Sequence, residues 1–118
     1  MGAEPTIIPL TVRKLKPGTY EQWRKAWHDP SDPDALWVEQ ESKAYILRSL
    51  EDPNEVVAFG FLEGSLPELQ SLRQDPEVER KQRRRQEAMA PFVSEILLDG
   101  AYEVIEVVTR EDARQPGA

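Results

Sequence analysis

The sequence predicts an α+β fold, a four-stranded antiparallel sheet with helices on one face. Three observations carry that expectation. Residues 43–64, KAYILRSLEDPNEVVAFGFLEG, read as two strands joined by a tight turn. Segments of helical spacing follow the first strand and this hairpin. The strand residues are apolar on both sides, as in a sheet covered on both faces.

Each element has a local reason. Thr6 to Lys16 reads as the first strand, with Ile8, Leu10 and Val12 on one side and Thr11 and Arg13 on the other. The first side is assigned to the helices and Arg13 to the opposite face. Pro9 has no amide donor and should lie at an edge, a bulge or the strand's start. Pro17-Gly18 ends the strand, and Thr19 with Gln22 reads as a capping box. The first helix runs from about Tyr20 to Trp27, placing Tyr20, Trp23 and Trp27 on one stripe. Such a stripe is either core packing or the wall of an aromatic pocket. His28, the single histidine, follows on the flank of this helix. It is either a solvent-facing helix-end residue or a proton-transfer group.

Residues 29–43 form a long connection broken by Asp29-Pro30 and Asp32-Pro33, with Trp37 either packed on the sheet or open to a partner. In the hairpin, Asp52-Pro53-Asn54 supplies the turn: Pro53 presets φ and the flanking side chains bond back to the backbone. Ser65 and Glu68 form a capping box ahead of a short helix with Leu66, Leu69 and Leu72 inward. Asp75-Pro76 opens a further helix to about Ala90. Its basic residues, Arg80, Lys81, Arg83, Arg84 and Arg85, wrap round the helix and read as a solvated face paired with glutamates. Phe92, Val93, Ile96 and Leu97 have helical spacing, so the helix is extended to Asp99-Gly100 and the last strand is placed at 101–109. Arg13 and Glu106 are then possible cross-strand neighbours. Residues 1–5 and 110–118 read as loose termini around one domain, 6–109.

Composition bounds the function. The 118-residue chain has a net charge of −7, which argues against nucleic acid and anionic membranes as partners. No apolar run suits a membrane span and no secretory signal is evident, so a cytoplasmic protein is expected. With no cysteine and one histidine, a structural metal site is not expected, and no cofactor is assigned.

The order strand-helix-strand-strand-helix-strand is the ferredoxin-like βαββαβ pattern. Helices cover one face, so the other should meet a second copy in a homodimer. This order, the Asp-Pro-Asn turn, the capped Leu-rich helix and the Asp75-Pro76 start resemble the dimeric α+β barrel proteins. That group includes antibiotic-biosynthesis monooxygenase-like proteins and tetracenomycin-type polyketide cyclases. The resemblance implies a pocket between sheet and helices, and oxygenation or cyclisation of an aromatic, polyketide-like substrate, often without metal or flavin. Haem-degrading members use an Asn on the first strand with a later Trp and His. This first strand has no Asn and His28 lies at the first helix, so no triad carries over.

Two functions are therefore expected. One is an enzyme with His28 as proton-transfer group and Arg48 stabilising a developing phenolate or enolate. Trp23, Trp27, Tyr45, Phe59, Tyr102 and Glu106 would then contact the substrate. The other is a non-catalytic homodimeric binding or scaffold protein, whose aromatics are core.

Overall fold

A computed structural model describes residues 6–38 and 41–114. Of the termini expected to be loose, residues 1–5 and 115–118 lie outside that range, while Arg110–Ala113 form a capped helical turn instead. Strand β1 (Thr6–Leu15) leads to α1 (Tyr20–Trp27), then to the hairpin of β2 (Glu41–Arg48) and β3 (Glu55–Glu63). Helices α2 (Leu66–Gln74) and α3 (Pro76–Met89) follow, then a 3₁₀ turn (Ala90–Phe92), β4 (Val93–Glu103) and a helical turn, α4 (Arg110–Ala113). The sheet order is β2-β3-β1-β4, antiparallel throughout. This is the ferredoxin-like arrangement, with the first strand beside the last as the sequence predicts.

The turn and caps form as their residues dictate. Asp52 Oδ1 accepts from the Asn54 amide at 2.9 Å, and the Asp52 carbonyl accepts from the Glu55 amide at 3.0 Å. Ser65 and Glu68 make a reciprocal capping box. Asp75 closes α2 and opens α3, its carboxylate accepting from the Glu77 amide at 2.9 Å. Thr19 departs from expectation. Its hydroxyl donates to the Lys16 carbonyl at 2.7 Å and makes no cap bond, so no capping box forms on α1.

Three further expectations are corrected. Residues 93–103 are strand, not helix, and Asp99-Gly100 lies inside β4. The helix-like spacing of Val93, Ile96 and Leu97 arises where the β1–β4 register shifts, between Val12 and Arg13 and again before Leu15. A bulge breaks the alternation that marks a strand. Residues 104–109 consequently lie beyond the strand. Pro9 sits within a central strand, where the β1–β3 pairing passes from Ile7↔Leu62 to Leu10↔Phe59.

The third correction concerns the faces of β1. Arg13 and Leu15 point to the helices and are buried, together with Val56 and Ala58 of β3. Trp23 of α1, fully buried, and Met89 of α3 complete this core. Ile8, Leu10 and Val12 belong to the opposite face, with Val57 and Phe59 paired beside them. That face carries no helix among the described residues. Tyr45 and Leu47 of β2 and Leu98 and Tyr102 of β4 are exposed there, each more than 40% accessible.

Candidate functional site

Between α2, α3 and the helix side of the sheet lies a groove of about 640 Å³. Leu36, Trp37 and Val38 of the long connection form one wall, and Leu62, Leu66, Leu69 and Leu72 another. At its inner end Pro9, Glu41, Gln82 and Arg85 also bound a second, smaller space of about 80 Å³. That chamber continues along β1 to Arg13, Gln86 and Met89, with Trp27 at its side. The whole is an apolar cleft ending in a charged, polar pole.

The pole is assembled from four elements. Arg13 comes from β1 and is 3% exposed. Its guanidinium donates to Gln86 Oε1 at 3.0 Å and to the Met89 sulfur at 3.5 Å, and lies 3.5 Å from the Asp99 carboxylate of β4. Arg85 turns inward from α3. It donates to Gln82 Oε1 at 2.7 Å, and its guanidinium carbon stands 5.8 Å from the centre of the Trp27 ring. Glu41 opens β2, its carboxylate lying over Gly60 of β3. A glycine inside a strand marks such a close approach.

Burial sets the electrostatics of these groups. It lowers the pKa of both Arg13 and Arg85, offset by Asp99 for Arg13 and by Glu41 for Arg85. Both still carry their charge, because arginine titrates far above neutrality. Burial pushes the Glu41 carboxyl up, opposed by the Arg85 charge. A carboxylate with raised proton affinity beside a fixed cation is equipped to accept a proton and to tolerate the anion that results.

The residues singled out from sequence are divided among separate places. Trp23 is core, as the packing alternative had it. Trp27 is half-buried and borders the chamber. Tyr45 and Phe59 stack with ring centres 5.4 Å apart on the helix-free face, and register places Tyr102 beside Ile8 on that face too. Their rings lie across the sheet from the two tryptophans, although Phe59 also borders the chamber and Tyr102 the groove. Glu106 is exposed beyond β4, and the partner of Arg13 is Asp99 instead.

His28 and Arg48 are also apart. Arg48 stacks over the ring of Tyr20, the first residue of α1, at 5.4 Å. His28 caps the other end of that eight-residue helix, which is about 12 Å long. His28 faces Trp27 and Trp37 edge-on, its Nδ1 buried without a hydrogen-bond partner. It lines a third hollow of about 400 Å³ with Asp29, Lys81 and Arg84, on the other side of Trp27.

Sequence reasoning passed over Arg13, Glu41, Arg85 and Gln86 as site residues. Arg85 was grouped with its exposed neighbours. Yet only part of that cluster is paired along its helix: Arg80 with Glu77 and Arg83 with Glu79. Arg80 also grips Asp34 through two bonds, at 2.7 and 3.0 Å, and Arg84 reaches Asp32 at 2.7 Å. The one available signal for Glu41 was Gly60 within an otherwise bulky strand.

Among the described residues no cluster of His, Asp and Glu could hold a metal ion, and no helix is long and apolar enough to cross a membrane. No protein-family model matches the sequence. No curated protein matches it either. Solved structures do match. One, from Bordetella bronchiseptica and described as a "putative antibiotic biosynthesis monooxygenase", is 12% identical with a TM-score of 0.61, over 88% of this chain and 99% of that one. A second of the same description, from Chloroflexus aurantiacus, is 12% identical with a TM-score of 0.52, over 86% and 93%. A conserved protein from Methanosarcina mazei is 9% identical with a TM-score of 0.54, over 85% and 91%. What this chain shares with them, across nearly their whole length, is the ferredoxin-like fold.

Proposed function

We propose that the chain is a small-molecule enzyme that oxygenates or cyclises an aromatic, polyketide-like substrate held between sheet and helices. The observation that carries this reading is Glu41, partly buried and facing the Arg85 charge, at the inner end of a largely apolar groove. The description borne by two proteins of the same fold supports it. In this reading the groove holds the rings and excludes water. Glu41 takes a proton from a phenolic O–H or an activated C–H, and Arg85 stabilises the phenolate or enolate. That anion either attacks a carbonyl of the same molecule or is oxidised by dioxygen. Trp27 flanks the reacting end, while His28 and Arg48 take no part in the proton transfer.

The test is a panel of anthrones, hydroquinones and poly-β-ketone mimics. Quinone absorbance and dioxygen uptake report oxygenation, and chromatography reports ring closure. Turnover that Glu41→Gln removes, with binding by tryptophan fluorescence retained, is the expected result. Saturable binding without turnover on any panel member would assign the groove to a non-catalytic binding protein.

We also propose a homodimer formed through the helix-free sheet face. The exposed Tyr45, Leu47, Leu98 and Tyr102 support it, since a contiguous apolar surface of this kind is unusual on a monomer. Light scattering at micromolar concentration should give twice the 13.5 kDa chain mass.

A further inference from the structure

The buried Arg13 and the partly buried Arg85 share the 80 Å³ chamber with the Asp99 and Glu41 carboxylates, yet their donors are incompletely paired. Arg13 has one carboxylate near it, Asp99, at 3.5 Å and half exposed; its other acceptors, Gln86 and Met89, are neutral. Among the described residues Arg85 has no carboxylate within ion-pair distance, and its bonded acceptor is the neutral Gln82. The Nε–H of Arg13 and that of Arg85 are both buried with no acceptor. Buried charges and buried donors are normally paired, because leaving them bare costs much of their hydration energy. Glu41 acts on the Arg85 charge from across the chamber but makes no ion pair with it.

The chamber has room for a small anionic group. A single water needs about 10–15 Å³ of such free space, so 80 Å³ admits several waters or one planar carboxylate. Its mouth is the groove, through the shared residues Glu41, Gln82 and Arg85. A guanidinium offers five donors in a plane, matched to carboxylate oxygens, and Arg85 can serve two neighbouring oxygens of one ligand.

We infer that the ligand of the groove carries a carboxylate, seated in the chamber between Arg13 and Arg85 while its rings lie against the leucines outside. This rests on the reading of the groove as the substrate site and adds the class of substrate: an aromatic or polyketide-like acid, with the acid group adjacent to the reacting hydroxyl or carbon. Seating the acid in the chamber brings that neighbouring position to Glu41.

Isothermal titration calorimetry with two probes tests the inference. The probes are 3-hydroxy-2-naphthoate and 3-hydroxy-2-naphthamide, alike in rings and hydroxyl but different in charge. The acid should bind at least about tenfold more tightly than the amide, the range expected of a charge-assisted pair. Arg85→Gln, at a position less buried than Arg13, should erase that preference while the amide still binds. Arg85→Lys should restore part of it. Thermal melts of both variants report whether each has folded. Equal affinity of the two probes for the wild-type protein would overturn the carboxylate assignment and leave the apolar groove standing. Failure of both probes to bind would overturn the groove reading and the inference with it. A preference that survives in folded Arg85→Gln would place the anion elsewhere and also overturn the assignment.

Discussion

Glu41 and Gly60 occupy one space: a methyl group built at Gly60 would collide with the Glu41 carboxylate and come within 3.3 Å of the Lys43 carbonyl oxygen. The first residue of β2 thus depends on the absence of a side chain in β3. Gly60→Ala should destabilise the fold by about 1–3 kcal/mol, the usual cost of overpacking, and displace Glu41. In a Glu41→Ala background the same substitution should cost clearly less. Denaturant unfolding of the two single variants and the double variant measures that coupling. Strictly additive losses would show that Glu41 does not lie over Gly60 in solution.

Glu41 also gives a pH signature. Burial, opposed by the Arg85 charge, raises its folded pKa above the usual carboxylate value. Folding therefore favours the protonated form. The contribution is fully present below the unfolded pKa and is lost as pH rises through the folded one. Above that window Glu41→Gln should match or exceed wild-type stability, and the advantage should vanish below it. Arg13, Arg85 and Asp99 remain in both proteins, so the difference between their melting curves from pH 4 to 8 isolates Glu41. A difference that does not change with pH would contradict the raised pKa.

The tryptophans of α1 should behave unequally. Trp23 is fully buried in the core, and Trp23→Ala should cost about 3–5 kcal/mol in urea unfolding. Trp27 borders the chamber and is only half-buried. Its replacement by alanine should cost less and weaken ligand binding. Equal losses with unchanged binding would return Trp27 to the core.

The connection before β2 is held by charge. Asp34 accepts two bonds from Arg80, and Asp32 accepts from Arg84 at 2.7 Å. The same connection supplies Leu36, Trp37 and Val38 to the groove. Asp34→Asn should speed hydrogen exchange across residues 31–38 with little change in global stability, as exposed pairs contribute little. High salt should do the same to the wild type. Asp32 and Asp34 sit below the usual carboxylate range, Asp32 through the Asp34 amide and then Arg84, Asp34 through Arg80. The restraint is thus present above that range and is lost as pH falls through the lowered values. Exchange unaffected by Asn, salt and acid would show that packing alone holds the segment.

Much of the architecture was legible because it is local. Asp52-Pro53-Asn54, Ser65 with Glu68, and Asp75-Pro76 use side chains to satisfy backbone groups a few residues away, and such patterns survive without knowledge of the fold. The last strand was misplaced because its register shifts hide the period of two and leave apolar residues at helical intervals. The face of Arg13 was misread for a different reason. Ile8, Leu10 and Val12 looked like the core side, but the other side tolerates arginine because Gln86, Met89 and Asp99 arrive from distant segments. The site escaped for the same cause: its charged groups come from four elements, and no short spacing links them.

In β3, residues of opposite duty alternate. Val57 and Phe59 pair across the helix-free face, while Val56, Ala58 and Gly60 press toward the helices and the chamber. Phe59 and Gly60 are covalent neighbours that serve different surfaces. The two surfaces can thus change independently by substitution, one parity at a time. They cannot do so by insertion or deletion, because a single added residue would exchange both sets at once. Length variation in relatives of this chain should therefore collect in the 49–54 turn and around Gly64, leaving β3 itself at constant length.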